Sequence, residues 1–297
     1  MSGCTLCPRM CEADRENGKT GFCGETGEIR AARAALHMWE EPCISGKEGS
    51  GTVFFTGCTL RCVFCQNHEI AGSKVGKVSS EERRAEIFLE LQGKGANNIN
   101  LVTPTHFVPQ IIRALQSAKK QGMYLPVVYN TGGYERVETL KMLDGLVDIY
   151  LPDFKYLNTD HAKKYSMAED YPEVAKAALA EMVRQAGKPV FDERGMMKRG
   201  VIVRHLLLPG CLADGKRVVK YLHETYGNRI YMSLMSQYTP LESLDAAKYP
   251  ELNRKVPEYA YEKLVDYAIS LGVMQAFIQE GDTAKESFIP PFTLEGV

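Results

Sequence analysis

The stretch Thr52-Val53-Phe54-Phe55-Thr56-Gly57-Cys58-Thr59-Leu60-Arg61-Cys62-Val63-Phe64-Cys65-Gln66-Asn67 joins an apolar, β-branched run to three cysteines spaced C-x3-C-x2-C. The run predicts a strand over 52–56, with Gly57 turning the chain at its carboxyl end. A short loop of this spacing turns three thiolates toward one face, as ligation of an iron–sulfur cubane requires. Three ligands for the irons of a [4Fe–4S] cluster leave one metal unsatisfied, and a small molecule carrying an amine and a carboxylate chelates such a position. S-adenosylmethionine carries both groups. An electron passed into its sulfonium breaks a carbon–sulfur bond and gives a 5′-deoxyadenosyl radical. The alternative for Cys58, Cys62 and Cys65 is a zinc knuckle completed by His68 or Cys43, but the usual zinc half-site is C-x2-C. Phe64 and Asn67, which flank the last cysteine, are candidate cosubstrate contacts, with ordinary core packing the plainer role for Phe64.

Outward from this loop, short apolar runs alternate with amphipathic stretches. Strands are expected near 52–56, 98–103, 125–130, 146–151, 200–208, 230–235 and 273–279, and helices near 80–93, 107–121, 134–143, 170–187, 213–226 and 257–271. This is the pattern of βα units around a parallel sheet, and an α/β fold follows. Six or so units are fewer than the eight that close a barrel, so a splayed, partial (β/α)6 barrel is expected, with an open side able to admit a loop of another protein. Glu193-Arg194-Gly195 reads as a hairpin turn before the fifth of these strands. Residues 1–50 read as a cysteine-rich metal-binding module, 51–280 as the barrel, and 281–297, with Pro290 and Pro291, as a surface tail.

Lys plus Arg number 36 against 37 Asp plus Glu, which gives no cationic field to support nucleic-acid binding. No run of about 18 apolar residues offers a membrane span, and the first residues lack the apolar region of a signal peptide, so a cytoplasmic protein is expected. Seven of the nine cysteines fall in two tight groups, a distribution that suits metal ligation in a reducing compartment better than disulfides.

The segment from Gly51 to Glu280 resembles the radical S-adenosylmethionine superfamily, and within it the pyruvate formate-lyase activating enzyme and related glycyl-radical-enzyme activases. The resemblance implies a partial barrel, reductive cleavage of the cosubstrate, a reductant such as flavodoxin or ferredoxin, and hydrogen removal from a glycine of a partner enzyme. Thr103 and Thr105 stand where the family carries Gly-Gly-Glu to grip the cosubstrate amine, and could replace that contact or cap the next helix. Asn130-Thr131-Gly132-Gly133 resembles the Asp-Thr-Asn-Gly turn, with an amide in place of the acid. Asp153-Phe154-Lys155 resembles the Asp-Leu-Lys of activases; the two charges, two residues apart on extended chain, point to one side. Arg204 interrupts an apolar strand and needs an anionic partner, for which the cosubstrate carboxylate is the expectation, whereas His205 alternates to the opposite face as a packed histidine. Gln237 and Tyr238 stand where activases tend to place a histidine near the adenosyl group.

Cys4-x2-Cys7-x3-Cys11 and Cys23 supply four thiolates among glycines, enough for a closed zinc site or an auxiliary iron–sulfur cluster with a structural or electron-relay role. Cys43 and Cys211 read as ordinary thiols. Two other functions stay open: radical modification of a small molecule, peptide or RNA, and a noncatalytic metal-binding scaffold.

Overall fold

β-branched and aromatic runs take the strand positions, and amphipathic segments the helices between them. The computed structural model describes residues 3–72, 75–278 and 290–297. In chain order its first half contains β1 (Arg30–His37), α1 (Pro42–Ser45), β2 (Ser50–Phe55), α2 (His68–Ala71), β3 (Lys77–Val78), α3 (Glu81–Gly93), β4 (Ile99–Val102), α4 (Val108–Lys120), β5 (Val127–Thr131), α5 (Val137–Lys141) and β6 (Ile149–Pro152). There follow α6 (Thr159–Ser166), α7 (Tyr171–Ala186), β7 (Val190–Phe191), β8 (Met197–Leu206), α8 (Leu212–Tyr226), β9 (Tyr231–Met235), α9 (Glu258–Ser270) and β10 (Ala276–Ile278). Strands lie in the order β10-β9-β8-β6-β5-β4-β2-β1-β3. Every pairing from β10 to β2 is parallel, while β1 runs antiparallel to β2 and β3 antiparallel to β1. Among the described residues β10 and β3 are the two ends of this path, so the sheet is open, as the sequence predicts. β7 pairs with β8 as the predicted hairpin.

Side-chain parity divides the sheet into two faces, because successive residues on a strand point to opposite sides. Leu101, Tyr129, Tyr150 and Val203 face the helices in the main core. Val128, Leu151 and Ile202 face the lumen, where they pack against Cys43 and Ile44. The lumen floor is therefore filled by α1, anchored by Asn98 Nδ2 donating to Ile44 O at 2.7 Å and Asn97 Nδ2 to Ser45 O at 2.7 Å. Residues 30–45, grouped above with the cysteine-rich module, are thus built into the barrel. β1 escapes a periodicity reading because it is alanine-rich and its register with β2 slips between Ala31 and Arg33. The helix α6, also unexpected, starts where the Asn158 side chain accepts from Asp160 N and His161 N. Of the expected tail, residues 281–289 lie outside the described residues; the remainder lies along β1, with Leu294 N donating to Ala32 O and Ala34 N to Glu295 O.

Candidate active site

The cysteine loop leaves the carboxyl end of β2 through Gly57, whose φ of +78° suits glycine, and a Cβ there would lie 2.8 Å from Cys23 O and 2.6 Å from Glu25 Cγ. The loop is held from outside itself. Cys58 N donates to Cys23 O at 3.2 Å and Val63 N to Tyr165 O at 2.9 Å. The Arg9 guanidinium ties Thr59 O, at 2.9 Å, to Ser166 O, at 3.1 Å, and to Met167 O, at 2.5 Å. Burial raises the Cys62 and Cys65 thiols, Cys65 to about 12, and the neighbouring cysteine charges push in the same direction against Lys155. Thiols that converge in this way stay protonated until a metal centre takes the protons' place. The set fits a [4Fe–4S] cluster by its chemistry: three thiols of one loop at a strand end, with Cys62 and Cys65 lining a cavity. Among the described residues no three His, Cys, Asp or Glu side chains are already drawn together as a metal-ion site. Of the two residues named for the zinc alternative, Cys43 lies in the barrel floor and His68 is exposed at the start of α2.

The cavity below the loop has a volume of about 250 Å3 and is lined by Cys62, Phe64, Cys65 and Asn67 of the loop, by Asn130, Asp153, Lys155 and Arg204 at strand ends, and by Gln237. Inward parity selects this group: Asn130, Asp153 and Arg204 each follow an inward neighbour two residues before, Val128, Leu151 and Ile202. Asp153 receives Lys155 Nζ at 2.6 Å and Arg204 Nε at 3.0 Å, and Arg204 Nη2 donates to Asn130 Oδ1 at 2.6 Å. The remaining Arg204 nitrogen meets Glu40 Oε2 at 3.3 Å, and Glu40 Oε1 accepts from Asn100 at 2.9 Å and Asn130 at 3.3 Å. Within the chain Asp153 and Glu40 stand against Arg204 as anions, and Arg204 also lines the cavity. Burial raises the Glu40 and Glu41 carboxyls, with Arg204 opposing it. For Asp153 burial is outweighed by Lys155 and Arg204, which hold its carboxyl below the ordinary value. Glu40 escaped the sequence reading; the signal was a pair of acids wedged between Trp39 and the apolar Cys43-Ile44.

Four expected contacts lie elsewhere. Thr105 Oγ1 donates to Glu135 Oε1 at 2.5 Å, Thr131 Oγ1 donates to the same oxygen, and Tyr129 OH donates to Glu135 Oε2 at 3.3 Å. Thr131 and Tyr129 have outward parity on β5, Thr105 lies in the turn after β4, and all three serve a buried carboxyl that burial pushes up to about 7. Thr103 takes φ 57° and donates its amide to Asn130 O at 2.9 Å, outside the cavity lining. Tyr238 is buried with its hydroxyl on Leu252 O at 2.5 Å. His205, of outward parity as expected, is buried against Phe154 O at 2.8 Å.

A family model, the radical SAM superfamily, matches residues 52–210, more than half of the chain. The chain belongs to the radical SAM superfamily. Membership implies an enzyme with a [4Fe–4S] cluster, S-adenosylmethionine and a reductant, and it covers the cysteine loop, Asn130, Asp153, Lys155 and Arg204. An uncharacterised protein of Methanocaldococcus jannaschii is 28% identical over 90% of this chain and 75% of its own length. A crystal structure of Streptococcus suis SuiB bound to precursor peptide SuiA matches with a TM-score of 0.50 at 12% identity, over 76% of this chain. The match spans 47% of that chain, so this radical SAM protein is similar to less than half of it, and the likeness is one of fold.

Next to the radical SAM loop sits the second cysteine group. A Cβ on Gly21 would lie 2.9 Å from Cys11 Sγ and 3.7 Å from Cys23 Sγ. Cys4 N donates to Ala13 O and Met10 N to Cys7 O, both at 3.0 Å, which folds the segment back on itself. Arg15, 6% exposed, donates to the carbonyls of Glu25, Thr26 and His106 and stands 3.7 Å from Cys4 Sγ. Burial raises the Cys23 thiol, and Arg15 is the strongest influence against it. Among the described residues no helix is long and apolar enough to cross a membrane.

Proposed function

We propose that this radical SAM enzyme activates a glycyl-radical enzyme, removing hydrogen from a glycine of that partner. Cys58, Cys62 and Cys65 would hold a [4Fe–4S] cluster, which would supply the electron for reductive cleavage of S-adenosylmethionine. The chain's own residues position that reaction. Lys155 and Arg204, held in place by Asp153, Glu40 and Asn130, present fixed charge to the cosubstrate, and Phe64 presents a ring with Lys155 Nζ 5.8 Å from its centroid. Asn67 and Gln237 offer amides on the same wall. The observation that carries the activase reading is the open sheet. With the floor filled by α1, a glycine on an extended loop has the open side as its way in. Reduced, cluster-loaded protein mixed with S-adenosylmethionine should release 5′-deoxyadenosine, and Cys62→Ala should not; a glycyl signal should then appear in the partner by electron paramagnetic resonance.

The same cavity favours a second reading, radical modification of a small polar substrate, because its volume is only about 250 Å3 and Glu40 closes it below with charge. Cosubstrate cleavage without a protein radical in any partner selects that reading.

At Cys4, Cys7, Cys11 and Cys23 we place a second metal centre, zinc or iron–sulfur. Its support is the buried Arg15, whose donors go to neutral carbonyls and to Cys4, and whose charge a tetrathiolate centre would balance. Metal analysis should show more metal than one cubane holds, and Cys4→Ala should lose the excess alone. Seven thiolate ligands and an electron donor such as flavodoxin or ferredoxin suit a reducing compartment, the cytoplasm.

A further inference from the structure

α6 ends at Ser166 because Met167 turns to φ 50°, and this end packs directly on the cysteine loop. Tyr165 O accepts from Val63 N, and Ser166 O accepts from Arg9, so main-chain contacts on both sides fix the serine. Ser166 Oγ lies 2.9 Å from Cys62 Sγ and 2.9 Å from the hydroxyl of Tyr156, and both residues are buried, at 0% and 1% exposure. Proton bookkeeping then sets the direction of the chain. A thiolate bound to metal only accepts, a serine hydroxyl has one proton and two lone pairs, and Tyr156 has one proton to give. Ser166 must donate to Cys62, and Tyr156 to Ser166.

We infer that Ser166, polarised by Tyr156, is a positioning residue that sets the reduction potential of the [4Fe–4S] cluster by donating a hydrogen bond to the Cys62 thiolate. Adding an electron to the cluster places more negative charge on its sulfurs, and a fixed donor there stabilises the reduced form. The buried hydroxyl pair makes this donor insensitive to solvent, and chained hydrogen bonds reinforce one another. The inference rests on the cluster assignment above, and the test separates the two.

The full chain, loaded anaerobically with cluster, is titrated with reductant while electron paramagnetic resonance follows the signal that changes on adding S-adenosylmethionine. Ser166→Ala should leave about tenfold less reduced cluster at a given solution potential, a downward shift of about 59 mV for one electron. Tyr156→Phe should shift it in the same direction by about twofold to threefold, and Ser166→Thr, which keeps the hydroxyl, should restore the wild-type midpoint. A packing role alone would alter stability and leave the midpoint in place. A midpoint for Ser166→Ala within twofold of wild type, or displaced upward, overturns the inference while leaving the cluster assignment intact. If that variant does not fold, Tyr156→Phe decides in the same sense. A wild-type protein without a signal responsive to S-adenosylmethionine overturns both.

Discussion

Two polar clusters stand on opposite faces of β4, β5 and their loops. Inside the barrel Asn130 joins Arg204, Asp153 and Glu40 around the cavity; outside, the next residue, Thr131, joins Thr105 and Tyr129 around Glu135. The outer cluster is buried and the inner one is half-buried at the cavity wall, and at Asn130 and Thr131 one step along the chain separates them. The inner one balances its carboxylates with two cations, whereas the outer one surrounds a single carboxyl with hydroxyls. Only the inner one reaches the cavity. Position at a strand end therefore does not assign a residue to the site; parity does.

The sharpest way to break this comparison is to empty the inner cluster of its centre. Arg204→Ala leaves Asp153 with Lys155 alone and Glu40 with amides alone, and should cost up to about 3 kcal/mol, the low end of the loss at a fully buried ion pair because these side chains keep some contact with solvent. Urea unfolding measures the cost, and release of 5′-deoxyadenosine should fall to background. A variant as stable as wild type would mean that the inner network is not the closed arrangement described.

The outer cluster should answer to pH instead. Glu135 is raised to about 7 from 4.5 by burial, so the folded state holds its proton more tightly than the unfolded chain does. Its contribution is neutral below about pH 4.5, and stability is lost as pH rises from there to about 7, at most about 3 kcal/mol in all. Glu135→Gln should erase that slope and be the more stable protein at pH 8, with cosubstrate cleavage unchanged. A variant whose stability parallels wild type across this window would show that Glu135 is not held neutral.

The smallest effect sharpens the contrast most. Thr131→Val removes one hydroxyl from Glu135 and should cost about 1–2 kcal/mol with full cleavage activity, while Asn130→Ala, one residue earlier, should abolish cleavage. Equal activities would dissolve the distinction between the two faces.

Much of this was legible before any coordinates. The cysteine loop, Asp153 with Lys155 and the odd Arg204 in an apolar strand all announce themselves, because spacing and charge in a hydrophobic setting carry the chemistry. Applied to β5, the alternation that paired Asp153 with Lys155 also separates Asn130 from Thr131, and the Thr131 expectation had set that rule aside in favour of motif likeness. Glu40 and Ser166 were not legible for a different reason. Each acts through tertiary placement: Glu40 reaches the lumen only because β1 and α1 fold into the barrel, and Ser166 meets Cys62 across 104 residues of sequence.

The floor of the lumen carries its own clock. Cys43 is 7% exposed, and burial, with Glu41 nearby, pushes its thiol up to about 12, so in the closed barrel it has almost no thiolate to offer an alkylating reagent. It also lines a cavity of about 560 Å3 beneath the floor, so a reagent can come close without α1 leaving its place, and what its capture waits for is the thiolate. The rate at which this one sulfur is captured therefore times the rare, local ionisation of the floor rather than the opening of the whole barrel, read from a residue the chain already possesses.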